Sequence, residues 1–115
     1  MSSHKSKSAT HEKLKREAIA YHTLYGVPGK ISTKLTKPCE TQKDLSLAYS
    51  PGVGMISLEI GEDQSHVWEY TNRGNLVAVL SDGSAILGLG DLGPEASYPV
   101  MEAKGFLFKN FADVD

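Results

Sequence analysis

The feature that most constrains the fold of this chain is the apolar run 76–80, because a glycine-rich segment follows it almost at once. Five residues that are apolar throughout are typical of a strand buried on both faces, as in a parallel sheet. Asp82 and Gly83 predict a turn, and the sequence SAILGLG predicts a second short strand or a sheet edge. Helical patterns lie on both sides. We therefore predict an α/β fold, with three α/β/α layers, a small, mostly parallel sheet and a helix-rich N-terminal third.

Capping residues mark the predicted helices. Residues 1–9 are small, polar and basic, which predicts a disordered tail ahead of one domain over residues 10–115. Thr10 is suited to cap the first helix, and Thr41 with Asp44 has the spacing of a capping box for the second. The predicted helices begin at Thr10, at Thr41, at Ser50 and Pro51, at Gln64 and at about Ser97.

The charge and composition of the chain argue against several classes of partner. Twelve basic and fourteen acidic side chains leave a formal net charge of −2, so we predict no nucleic-acid binding and no binding to a membrane surface. No apolar segment is long enough to span a bilayer, and no secretory signal is recognisable. The single cysteine, Cys39, cannot form an internal disulfide. This favours a reducing compartment, and we predict a cytoplasmic protein.

Gly88, Gly90 and Gly93 have the spacing G-x-G-x-x-G of a dinucleotide-binding turn. That motif needs a strand before it, a helix after it and a second strand that ends in an acidic residue about 20 residues later. Asp113 and Asp115 are at that distance, but the sequence shows no strand to carry them. A tight turn with close backbone packing is therefore favoured over pyrophosphate binding, and a free-standing nucleotide binder remains an alternative.

Lys104 has an unusual position in the last predicted helix. On a helical wheel it falls within an apolar arc, whereas Glu102 and Lys109 fall on the opposite, charged face. A lysine among apolar side chains either extends past them to water, or forms a buried ion pair, or is buried as a free amine. Burial disfavours the charged form, which suits a general base. The wheel leaves these alternatives open.

Tyr49 stands at the end of the second predicted helix, immediately before the sequence SPG. A tyrosine at such a position is most often a packed residue whose hydroxyl is hydrogen-bonded locally. The alternative is a phenol held beside the start of another helix, where it could donate a proton or bind an anion. Position alone favours the packed residue.

Several segments in order together resemble the N-terminal domain of malic enzyme. They are YHTLYGVPGKI, TQKDLSLAYSPGVG, LEIGED, YTNRGNLVAVLSDGSAILGLGDLGPEA and PVMEAKGFLFKNF, and they cover nearly everything from Tyr21 to Asp115. The combination of GNLVAVLSDGSAILGLGDLG with PVMEAK is highly specific to the family. Ala85 stands where the large animal and plant enzymes have arginine, so the chain resembles the shorter, prokaryote-type branch.

The resemblance implies oxidative decarboxylation of L-malate to pyruvate and CO2, with NAD or NADP reduced and Mg2+ or Mn2+ required. Lys104 matches the family lysine that takes the proton of the C2 hydroxyl, and Tyr49 matches the tyrosine that protonates enolpyruvate. The resemblance also implies a homodimer. It places the dinucleotide-binding domain and the metal-binding carboxylates downstream, so no cofactor-binding or metal-binding residue is expected within this chain.

The chain departs from the family pattern beside the expected base. Ala103 stands where the family usually has glycine, and Asp113 stands where glycine is usual. Neither departure removes Tyr49 or Lys104. By itself the chain is expected to be inactive, and the alternative to a catalytic part is a binding or dimerisation module without chemistry.

Overall fold

The computed structural model describes residues 2–115, with side chains from Ser6 onward. Within these residues the chain is helical and contains no strand. Five α-helices and three short 3-10 turns follow one another along residues 2–115. The helices are α1 (Ser2–His22), α2 (Gln42–Ala48), α3 (Gly52–Glu62), α4 (Val67–Tyr70) and α5 (Pro94–Ala112), and the 3-10 turns are Leu24–Gly26, Gln64–His66 and Asn72–Asn75.

The predicted α/β/α fold with a parallel sheet is wrong for the described residues. The apolar run 76–80 is not in a helix, but no strand lies beside it. The start of the run pairs with the last residue: the Val77 N–H donates to the Asp115 carbonyl (2.9 Å), and the Asp115 N–H donates to the carbonyl of Asn75, just before the run (3.0 Å). An apolar run indicates a tendency to be buried but does not supply the neighbouring strand that a sheet requires.

The helix boundaries follow the predicted signals more closely. The capping box of α2 is confirmed, because the Asp44 N–H donates to Thr41 Oγ1 and the Thr41 N–H donates to Asp44 Oδ2, both at 3.1 Å. Pro51 is the N-cap of α3 rather than its first helical residue. The predicted short helical segment 64–70 is also present, and α5 begins at Pro94, three residues earlier than predicted.

Helix α1 extends farther toward the N-terminus than predicted. Thr10 is inside the helix, where its hydroxyl donates to the Ser6 carbonyl (2.9 Å), so it is not the N-cap. Residues 2–9 continue the helix through the segment predicted to be a disordered tail, and their flexibility stays a prediction. Met1, the first residue of that predicted tail, lies outside the described residues.

Replacing Thr41 with alanine is expected to destabilise the start of α2 by about 1 kcal/mol, because one helix donor loses its side-chain acceptor.

The backbone N–H groups of Glu40 and Thr41 hold the pKa of Asp44 below its usual value. The contribution of Asp44 is therefore present above the unfolded-state pKa and is lost as the pH falls through the lower folded-state pKa. Urea unfolding of the complete protein measures both effects. Thr36→Ala, at an exposed threonine outside the helices, is the control and should change the midpoint little.

The chain has an elongated shape and very little buried apolar surface. Its radius of gyration is 21.3 Å and its extents are 72 × 30 × 25 Å. Among the described residues, Ile86 is the only buried apolar residue, and no large side chain is fully buried. The accessible surface is 10058 Å², whereas a compact protein of this mass exposes about 6,100 Å². Apolar side chains that would form a core therefore lie at the surface.

None of the described helices combines the length and apolar character needed to cross a membrane.

Candidate active site on helix α5

The glycine-rich segment 81–93 forms a loop closed by its own backbone. The Leu92 and Gly93 N–H groups both donate to the Gly83 carbonyl, at 3.2 and 3.3 Å. Inside the loop, the Ile86 N–H donates to the Gly90 carbonyl at 3.0 Å. The loop thus brings its two ends together and encloses Ile86, which is 5% exposed.

Close backbone approach explains the glycine at position 83. A Cβ built on Gly83 would lie 1.8 Å from the Gly93 carbonyl oxygen, and the residue has a φ of +75°. Gly88, Gly90 and Gly93 also have positive φ values, between +76° and +90°. These four glycines therefore have a structural role in the loop, in agreement with the turn interpretation of the G-x-G-x-x-G spacing.

The closed loop leads directly into α5, which carries Lys104. Pro94 is the first residue of the helix, where its lack of an N–H is tolerated. In the first turn the buried Ser97 hydroxyl donates to the Pro94 carbonyl (2.6 Å). The loop and this hydrogen bond together determine where α5 starts.

The face of α5 that contains Lys104 is open to solvent in this chain. Lys104 itself is exposed, and so are its apolar neighbours Leu107, Phe108 and Phe111. The helical wheel is correct in grouping these residues, but the side chains lie at the surface rather than in a core. Of the three settings considered for Lys104, the exposed one holds for the chain as described.

The opposite face of α5 packs against the segment after α1. Glu102 Oε1 accepts a hydrogen bond from the Lys30 backbone N–H (2.9 Å) and lies 3.2 Å from Lys30 Nζ. The side chains of Lys30 and Glu102 are only 8% and 12% exposed. Glu102 therefore lies on the face opposite Lys104, as the helical wheel predicts, and it is bound to Lys30 there rather than open to solvent.

Lys30 was not found by sequence reasoning, and no local signal could have revealed it. Its ammonium group also lies 2.8 Å from His22 Nε2 and donates to the Pro99 carbonyl (3.2 Å). Glu102 is 72 positions away in the sequence. A periodic pattern relates residues within one helix and carries no information on a partner this distant.

Tyr49 is the C-cap of α2 and links this helix to α3. Its N–H donates to the Leu45 carbonyl (2.9 Å), and its carbonyl accepts from the Val53 N–H (2.7 Å). The side chain is 70% exposed, so it is not a packed residue. Among the residues that the structure describes, no hydrogen bond joins Tyr49 to Lys104.

Lys109 lies one to two turns beyond Lys104 and holds the end of the chain. Its ammonium group forms ion pairs with Asp113 and Asp115, and the Asp115 contact is 2.8 Å long. Hydrogen bonds to these carboxylates raise the pKa of Lys109, and Asp113 has the larger effect. Lys109 in turn lowers the pKa of Asp115. Both aspartates are thus engaged in salt bridges with Lys109.

The described side chains do not form a metal site. Within the part of the chain that the structure describes, no group of three or more histidine, cysteine, aspartate or glutamate side chains is placed to hold a metal ion. A divalent cation therefore does not fit these residues, and no chemical step at this site can be derived through one.

Comparison with known proteins identifies the family. The family model described as malic enzyme, N-terminal domain, matches residues 28–115, a span that includes both Tyr49 and Lys104. The chain belongs to this family, as the sequence segments predicted.

Two bacterial relatives illustrate the similarity. The chain is 57% identical over 101 residues to the NADP-dependent malic enzyme of Halomonas elongata, covering 88% of this chain and 24% of the relative. It is 55% identical over 104 residues to the NADP-dependent malic enzyme of Escherichia coli, covering 90% of this chain and 14% of the relative. The chain thus spans a quarter or less of their length, and the predicted similarity to the prokaryote-type branch is confirmed.

Solved structures agree with this family. The malic enzyme from Pyrococcus horikoshii superposes with a TM-score of 0.82 at 48% identity, over 89% of this chain and 24% of that chain. The Entamoeba histolytica malic enzyme gives a TM-score of 0.79 at 33% identity, over 93% and 22%.

Proposed function

We propose that this chain is the N-terminal catalytic part of an enzyme that converts L-malate to pyruvate and CO2 with reduction of NAD or NADP. The observation that supports this most directly is the family match over residues 28–115, which contains both proposed catalytic side chains. Relatives of this chain are named as NADP-dependent and as NAD-dependent malic enzymes. The choice between the two coenzymes belongs to parts of the enzyme beyond this chain.

Lys104 is the proposed general base. As a neutral amine it accepts the proton of the malate C2 hydroxyl while the C2 hydrogen leaves as hydride, which produces the ketone of oxaloacetate. The C3–C4 bond then breaks, C4 leaves as CO2, and the electron pair of that bond forms the C2=C3 double bond of enolpyruvate in its enolate form. Lys104 has exposed apolar neighbours, among them Leu107 and Phe108, so burial of this face in the complete enzyme would be favourable.

Tyr49 is the proposed general acid. Its phenol donates a proton to the C3 carbon of enolpyruvate, which completes pyruvate. Its position at the junction of α2 and α3 leaves the hydroxyl free to approach a substrate, because the side chain is 70% exposed. A bound dinucleotide would supply the hydride acceptor, and Mg2+ or Mn2+ is a further proposed requirement. The residues that would hold the dinucleotide and the metal ion lie outside those described.

The Tyr49→Phe variant of the complete enzyme tests this assignment. Pyruvate formation from malate is expected to fall by about 100-fold or more, because the acid is removed while the ring is kept. Tyr98→Phe is the matched control, since Tyr98 is also 70% exposed but lies in the first turns of α5. Tyr98→Phe should retain the wild-type rate. A Tyr49→Phe enzyme with activity close to that of the control would remove Tyr49 from the mechanism.

A second proposal concerns assembly, and the exposed apolar surface supports it. The accessible surface exceeds that of a compact protein of this mass by about 4,000 Å², which is more than one partner contributes to most obligate interfaces. We propose that the enzyme is a homodimer and that this chain contributes to the subunit interface. Light scattering on the complete protein measures the mass directly. A strict monomer at high concentration would contradict the homodimer.

We also propose a cytoplasmic location, supported by the single, exposed and unpaired Cys39. Fractionation of cells that produce the protein, with a cytoplasmic enzyme as marker, tests this proposal.

A further inference from the structure

We propose that Lys30 and Glu102 are positioning residues that hold α5 in the orientation needed by Lys104. This inference rests on the proposed role of Lys104 as the base. Neither Lys30 nor Glu102 belongs to the face of α5 that contains Lys104. Their effect on the reaction is therefore expected to act through the helix.

The ammonium group of Lys30 has three acceptors, which matches its three N–H donors. They are Glu102 Oε1 (3.2 Å), His22 Nε2 (2.8 Å) and the Pro99 carbonyl (3.2 Å). His22 Nδ1 lies 2.7 Å from the Ala18 carbonyl, so a ring with its proton on Nδ1 leaves Nε2 free to accept from Lys30. The contact thus ties α5 to the end of α1.

Glu102 is bound by the Lys30 backbone as well as by its side chain. The Lys30 N–H donates to Glu102 Oε1 at 2.9 Å. Because the pair is nearly excluded from solvent, with 8% and 12% of the side chains exposed, water cannot readily replace a lost partner. Removing one member of such a buried pair leaves an uncompensated charge.

Close packing on both sides of the ion pair keeps the segment against α5. A Cβ on Gly29, whose φ is +79°, would lie 2.5 Å from Glu102 Oε2. A Cβ on Gly105 would lie 3.1 Å from Ile31 Cδ1. The backbone at Gly29 therefore lies directly against the Glu102 carboxylate, and the backbone at Gly105 lies directly against the Ile31 side chain.

The helical register places Lys104 away from this contact. Residues that are two positions apart in an α-helix are separated by about 200° around its axis, so Glu102 and Lys104 point to opposite sides. The Lys30–Glu102 ion pair binds α5 on the face opposite Lys104 and leaves the Lys104 face open to solvent. A small displacement of a reacting group reduces the rate strongly, so the orientation of α5 matters for the reaction.

The Glu102→Gln variant of the complete enzyme tests the proposal, because glutamine keeps the size and removes the charge. We expect kcat to fall about tenfold or more, with the KM for malate within about threefold of wild type. We expect amide hydrogen exchange in peptides from α5 to be faster by about tenfold. Lys30→Arg, which keeps the charge, should restore most of kcat relative to Lys30→Gln. Lys30→Gln serves also as the second variant if Glu102→Gln does not fold.

Glu17→Gln is the matched control, because Glu17 forms an exposed ion pair with Lys13 and should change neither readout. An unchanged kcat in both Glu102→Gln and Lys30→Gln would overturn the proposal, whether or not amide exchange in α5 becomes faster. Equal losses in Lys30→Arg and Lys30→Gln would also overturn it. The proposed role of Lys104 is tested separately by the Lys104→Ala enzyme, and full activity of that variant would contradict the proposed function.

Discussion

Replacing Lys104 with alanine is expected to remove nearly all malate oxidation by the complete enzyme. Loss of a general base costs a factor of about 100 to 10,000 in rate. The fold should remain, because Lys104 is exposed and its methylene groups are not part of a core in this chain. Coenzyme reduction at saturating malate measures the loss, and thermal unfolding measures the fold.

Lys43→Ala provides the matched control for this prediction. Lys43 is also an exposed helical lysine, in α2, and has no proposed role in the reaction. Its replacement should leave the rate unchanged. A Lys104→Ala enzyme within a fewfold of the Lys43→Ala rate would eliminate Lys104 as the base and with it the mechanism proposed above.

Replacing Gly83 with alanine is expected to have the largest effect on stability. The new Cβ would lie 1.8 Å from the Gly93 carbonyl oxygen and 2.7 Å from the Pro94 nitrogen, both backbone atoms that cannot rotate away. The positive φ of +75° adds a further cost. Together these effects should lower the free energy of unfolding by at least ~3 kcal/mol. Denaturant unfolding of the complete protein measures this value.

Gly88→Ala separates the two causes. Gly88 has nearly the same φ, +76°, but nothing lies within 4 Å of a Cβ built on it. Its replacement should cost only about 1 kcal/mol, from the backbone conformation alone. If the two variants lose the same stability, the close approach of Gly83 to Gly93 does not exist in solution.

The start of α2 shows what local sequence predicts well. A capping box is formed by residues three positions apart, and Thr41 and Asp44 make both of its hydrogen bonds as predicted. The same holds for the short helical segment 64–70. In each case the interacting groups are neighbours in the chain, so the sequence contains both partners.

The apolar run 76–80 shows where local sequence falls short. Its composition favours a strand, but strand formation depends on hydrogen bonds to another strand, and the described residues include none. The helical wheel of α5 has a related limit. It correctly groups Lys104 with Leu107, Phe108 and Phe111, because it gives the angles between side chains around the helix axis. It does not predict which side of the helix packs against other parts of the protein.

The sequence by itself determined the family, the capping box of α2 and the two proposed catalytic positions, because these depend on residue identity and short spacing. Only the tertiary structure decided that Glu102 is bound to Lys30 and that the Lys104 face is open. It also decided that the glycine fingerprint closes on itself through Gly83. The physical reason is distance along the chain: contacts between residues 72 positions apart arise from packing, and packing leaves no local pattern.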